Sequence, residues 1–187
     1  MRKLVFALLF IILSSPIIAQ QKPTDLDKSP MDMSYWPKDY PILKMNGKSK
    51  DLPTARLIYG RPQKNGRDIF GGIIKYNEIW RLGANESTEV EFFKNVKIAG
   101  KAVPKGRYSL FCIPQANKWT IIVNKDVFSW GSFTYDAKKD LLRTDVSVEK
   151  TTDITEALTI YFDDSKLGAN LVIMWDDVKV AVPISLN

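Results

Sequence analysis

The chain has 187 residues, 45% of them hydrophobic and 26% charged, which is enough for one domain with a packed core and short for two. It contains no histidine and one cysteine, so Ser-His-Asp and Cys-His catalysis and the usual zinc sites are excluded. Its formal charge of +6 is carried by scattered Lys and Arg rather than by a basic run, which argues against nucleic acid and leaves only a mild attraction for anionic polymers or membrane surfaces.

The first segment reads Met1-Arg2-Lys3, an apolar run from Leu4 to Leu13, then Ser14 to Gln20 with Ala19 near a cut. That is the pattern of a cleavable secretory signal over residues 1–20, and the apolar run is too short to span a bilayer. Its removal leaves 25 Lys and Arg against 21 Asp and Glu, a net +4. No cysteine adjoins the cut, so no lipid anchor is expected, and the predicted location is the periplasm or the exterior. Cys112 lies in an apolar run, where a thiol without an intramolecular partner is expected to be buried.

Residues 21–51 are rich in Pro, Lys, Asp and Met and read as a linker or an irregular arm, with Tyr35-Trp36 and Tyr40 packing along the domain surface. Residues 52–187 are expected to form a single β-sandwich domain. Strand signals occur at Thr54–Tyr59, Glu89–Phe92 and Val96–Ile98, with Val90 and Phe92 inward and Glu89 and Glu91 on a solvated face. Val103-Pro104-Lys105-Gly106 reads as a hairpin turn into the strand Arg107–Ile113. Trp119–Asn124 is apolar on both faces, as a central strand would be. Leu141–Val148, Ala157–Phe162, Ala169–Trp175 and Val178–Ile184 give four more strands, with Asp163-Asp164 and Asp176-Asp177 assigned to turns. About nine short strands without sustained helical periodicity predict an all-β, antiparallel β-sandwich of jelly-roll or Greek-key type.

Several spaced motifs, ARLIYGRPQKNGRDIFGG from Ala55 to Gly72, WRLGANEST from Trp80 to Thr88, PKGRYSLF from Pro104 to Phe111, Trp119 with Asn124, and Trp130-Gly131, resemble in order the domain of unknown function 2911 family. The resemblance covers Ser29 to the C-terminus. It implies an exported bacterial protein, commonly of the Bacteroidetes lineage, and brings no catalytic assignment with it.

The densest polar constellation is Trp80 to Thr88. Arg81, Asn85, Glu86 and Thr88 lie on or beside a Gly-Ala break where a backbone can approach a ligand closely. With Arg61 and Arg67 from preceding turns, and Trp80 as a flat face, they outline a site for a carboxylate, phosphate, sulfate or sugar. The alternative is structural: Arg81 pairs with Glu86 or Glu89, Asn85 makes turn contacts and Trp80 packs the core. A carboxylate-dependent hydrolase would use Glu86 with Glu78, Glu89 or Glu91. The expectation is a non-catalytic binding module for a small polar or anionic ligand, carbohydrate among them, with no cofactor, metal or membrane insertion. An envelope module docking a protein partner through the aromatic arm or an edge strand is the alternative.

Overall fold

The computed structural model describes residues 24–186, so the predicted signal at 1–20 lies outside the described residues. Within them the chain forms nine strands in one antiparallel sheet: β1 (Met31–Trp36), β2 (Ala55–Gly60), β3 (Thr88–Phe92), β4 (Val96–Ile98), β5 (Lys101–Val103), β6 (Gly106–Pro114), β7 (Lys118–Asn124), β8 (Asp140–Ser165) and β9 (Gly168–Leu186). The order across the sheet is β1-β2-β3-β6-β7-β8-β9-β4-β5, with one short helix, α1 (Tyr40–Met45). The all-β prediction holds, and β7 stands at the centre of the order as its two-sided apolar pattern requires: Trp119, Ile121 and Val123 join the core while Ile122 is buried on the other face.

The sheet folds over itself because β8 is shared. Lys118 to Asn124 of β7 pair with Asp140–Ser147, whereas Val148–Ser165 pair with β9. One apolar core results, in which Leu57, Val90, Leu110 and Ile121 of one layer meet Phe162, Ile173, Trp175 and Val180 of the other. On β9 the residues that enter the common core run Ala169, Leu171, Ile173, Trp175 and then Val178, Val180, Val182, Ile184. This odd-to-even switch needs one extra residue in the strand, and Asp176 supplies it at φ 57, where the register with β8 shifts. Asp176-Asp177 is therefore a bulge inside one long strand rather than a turn. The polar stretch Glu149–Glu156 likewise belongs to β8, so the four strands expected beyond residue 140 are two.

Two further local expectations are corrected. Val103 to Gly106 does not close a hairpin: β5 pairs with β4 at one edge, whereas β6 lies between β3 and β7. The hairpin is instead β4-β5, through Ala99 and Gly100 at φ 47 and 79, the paired positive φ values of a type I′ turn. Within the expected arm, Met31–Trp36 is strand β1, in register with β2 from Met31↔Gly60 to Trp36↔Ala55. Trp36 and Tyr40 are buried, Trp36 stacking on Phe162 at 6.4 Å between centroids. No described helix is long and apolar enough to cross a membrane.

Candidate functional site

The stretch Trp80 to Thr88 folds back on itself. Trp80 forms an isolated bridge with Cys112 of β6, turning its indole into an aromatic cluster with Trp175, Trp119 and Phe70 at centroid separations of 6.0, 5.9 and 6.1 Å. Its Nε1 donates to the Gly83 carbonyl at 3.1 Å, the Thr88 hydroxyl to the Leu82 carbonyl at 2.7 Å, and the Thr88 amide to the Arg81 carbonyl at 3.1 Å. Leu82 and Thr88 are fully buried. The corner presses against the end of β2, where a Cβ on Gly60 would stand 2.2 Å from the Ala84 oxygen. Trp80 and Thr88 thus serve the packing of the corner and present no surface to a ligand.

The remaining predicted site residues are dispersed. Asn85, at φ 61, accepts through its carbonyl from the Gly131 amide at 2.9 Å, and Glu86 is exposed, its backbone bridged to Trp130. Arg81 is half-buried, burial lowers its pKa from the usual guanidinium value, and its Nε has no hydrogen-bond partner. The expected pairing of Arg81 with Glu86 or Glu89 is absent among the described residues: Glu89, expected on a solvated face, is buried, accepts from the Phe128 amide at 2.5 Å and faces Arg107 at 3.9 Å. Arg67 is exposed and spends its guanidinium on its own turn, donating to the carbonyls of Lys64 at 2.9 Å and of Gln63. Among the described residues no group of three or more Cys, Asp or Glu side chains could hold a metal ion.

Arg61 leads to a different place. Its amide donates to Pro30 O at 3.0 Å, which turns the side chain toward the seam between β1 and β8. There Nε donates to the Leu158 carbonyl at 3.0 Å, Nη2 to the Thr159 hydroxyl at 3.0 Å, and Nη1 pairs with Asp32 at 3.3 Å. The Tyr59 hydroxyl, 1% exposed as a residue, accepts from the Ile160 amide at 3.0 Å and donates to Asp32 at 3.3 Å. Burial pushes Tyr59 up to about 12, with Asp32 adding to the shift and the Ile160 amide and Arg61 opposing it. The Phe162 amide donates to the Ser34 hydroxyl at 3.3 Å. The outer edge of β8 is therefore satisfied by side-chain hydroxyls rather than by the backbone of β1, and the two strands stop short of forming a ladder.

A groove of about 650 Å³ lies along this seam. Its floor is the network of Asp32, Ser34, Tyr59 and Thr159, and its walls are Tyr35 and Met33 on one side, Ile160 to Phe162 on the other. Lys38, Asp39, Pro41 and Ile42, from the turn after β1 and from α1, close one end. Tyr35 is steadied by stacking on Tyr40 at 5.8 Å. The lining carries the carboxylates Asp32 and Asp39 and the cation Lys38, and Arg61 from outside the lining pairs with Asp32, so charge balances around this space. Such a lining offers acceptors and donors to hydroxyl groups and flat faces to an aliphatic ring.

The sequence pattern of one protein family, described as "Protein of unknown function (DUF2911)", matches residues 43–184. The chain belongs to that family. The match runs from within α1 to within β9 and so includes Tyr59, Arg61 and the β8 wall of the groove, while β1 precedes it. No curated protein and no solved structure matches the chain. None of the residues expected at a site lines the groove; Arg61 stands behind it, bonded to the lining residues Asp32 and Thr159. Asp32, Tyr35, Tyr59 and Thr159 were missed, and the signal that could have found them is the aromatic and acidic content of Asp32–Tyr35 beside an extended run.

Proposed function

We propose that this member of the family is a non-catalytic module that binds a small polar molecule in the groove between β1 and β8, with carbohydrate as the ligand class. The observation that carries the reading is a groove of about 650 Å³ floored by the linked polar groups of Asp32, Tyr59 and Thr159, with Arg61 tied to Asp32 and Thr159, and walled by Tyr35 and Tyr161. Balanced charge favours a neutral polyhydroxyl ligand over a bare anion: a sugar hydroxyl can donate to Asp32 or Asp39 while a sugar face packs on a tyrosine. Hydrolysis has less support. Glu86 is exposed on the corner stretch, and Asp32 is engaged by both Arg61 and Tyr59. The protein works after export, in the periplasm or outside the cell, a reading supported by the basic and apolar N-terminal run.

A thermal-shift screen of neutral, acidic and sulfated saccharides tests the binding reading. A ligand at a hundred times its Kd stabilises the native state by about 2.7 kcal/mol, and about 2–4 °C per kcal/mol is expected for a chain of this size. The shift should vanish in Tyr161→Ala and persist in Arg81→Ala. No shift from any saccharide, or a shift lost only in Arg81→Ala, overturns the groove.

A further inference from the structure

We propose that the loop between β7 and the 3₁₀ turn at Ala137–Lys139 docks the protein on the surface of an anionic lipid bilayer. Phe128, Trp130 and Phe133 are 78, 59 and 85% exposed. Three large apolar side chains in six residues is a dense display for a soluble surface, and the loop is not slack. The Phe128 amide donates to the Glu89 carboxylate at 2.5 Å, the Ser87 amide to the Ser129 carbonyl at 2.9 Å, the Gly131 amide to the Asn85 carbonyl at 2.9 Å, and the Ser87 hydroxyl to the Gly131 carbonyl at 2.5 Å. Phe128 itself is held at φ 61, a conformation a bulky side chain rarely adopts, with the Arg107 guanidinium 5.2 Å from its ring centre. Gly131, at φ 67, holds a left-handed conformation that favours glycine. The backbone therefore fixes the aromatic side chains outward instead of letting them collapse on the sheet.

A convex knob with apolar tips needs a partner that yields around it. A bilayer interface does so, accepting Phe and Trp at the level of the headgroups. Residues 125–139 carry three Lys against Asp126 and Asp136, a net +1 that leans toward an anionic surface. Lys125 at one end of the loop and Lys138 and Lys139 at the other are exposed, Lys139 pairs with Asp126 at 2.9 Å, and Lys125 and Lys138 have no ion pair among the described residues. Each basic side chain near an anionic leaflet adds attraction that salt weakens.

Trp130 provides the readout. The other four tryptophans, Trp36, Trp80, Trp119 and Trp175, are between 1 and 7% exposed, so a change in emission reports the loop. The protein lacking residues 1–20, whose apolar run would itself bind lipid, is titrated with vesicles of phosphatidylglycerol and phosphatidylethanolamine and, separately, of phosphatidylcholine. All nine strands lie within residues 31–186, so this form retains the whole sheet. Expected are a blue shift of emission and co-sedimentation with the anionic vesicles. Phe133→Ser and, separately, Lys125→Glu with Lys138→Glu should each weaken binding about tenfold, the charge variant showing the smaller dependence on salt. Absence of the shift with anionic vesicles, or binding unchanged in both variants, overturns the proposal. So does a blue shift that grows with protein concentration in the absence of lipid, which would assign the loop to a second copy of the chain.

Discussion

Gly60 shows how closely the corner at Trp80 to Thr88 is fitted. A Cβ there would stand 2.2 Å from the Ala84 oxygen, a backbone atom that cannot swing aside. Gly60→Ala should destabilise the protein by about 1–3 kcal/mol, the usual range for overpacking, seen as a lower denaturation midpoint with an unchanged m-value. Tyr59 tests the seam. Tyr59→Phe deprives the Ile160 amide of its acceptor in a buried position, and should cost about 1–3 kcal/mol at neutral pH. Because the folded hydroxyl titrates at about 12 against about 10 when unfolded, its stability contribution is intact below pH 10 and is lost as pH rises through 12. The difference between wild type and Tyr59→Phe should therefore shrink across that window in alkaline denaturation curves. Cys112 is fully buried and burial pushes its thiol well up, so a thiol reagent should leave it untouched in the native protein and modify it once denaturant is added.

At the scale of elements, strand β1 joins the two layers through Trp36 on Phe162 and Ser34 on the Phe162 amide. Trp36→Ala should lower stability by about 3–5 kcal/mol, measured by chemical denaturation. The sequence shows some elements and hides others for physical reasons. Glu89–Phe92 is legible from the alternation of Val90 and Phe92 with charged residues, and Trp119–Asn124 from an apolar run that is buried on both faces, each strand being paired on both sides. β1 is hidden because an edge strand pairs on one side only, and Met31 and Met33 stay half exposed. The continuity of β8 is hidden because its bulged middle, Glu149 to Glu156, is polar and resembles a turn. Glu89 is misread for another reason: the loop that covers it comes from Phe128, 39 residues away.

For the whole molecule, the candidate site emerges only when distant segments meet. Asp32 and Tyr35, Tyr59 and Arg61, and Thr159 to Phe162 converge because β8 folds the second layer back beside β1, a closure no local pattern announces. The polar stretch at Trp80 to Thr88 is conspicuous in the sequence and proves to be the fitting that holds the corner, whereas the groove proposed for binding lies at the seam. The direct measurement is amide chemical-shift mapping on the labelled protein with a saccharide that raises its melting temperature. Perturbations should cluster at Tyr35, Lys38 and Ile160 to Phe162 and leave Arg81 to Glu86 unmoved. Perturbations centred on Arg81 to Glu86, or spread without a cluster, would contradict the groove as the binding site.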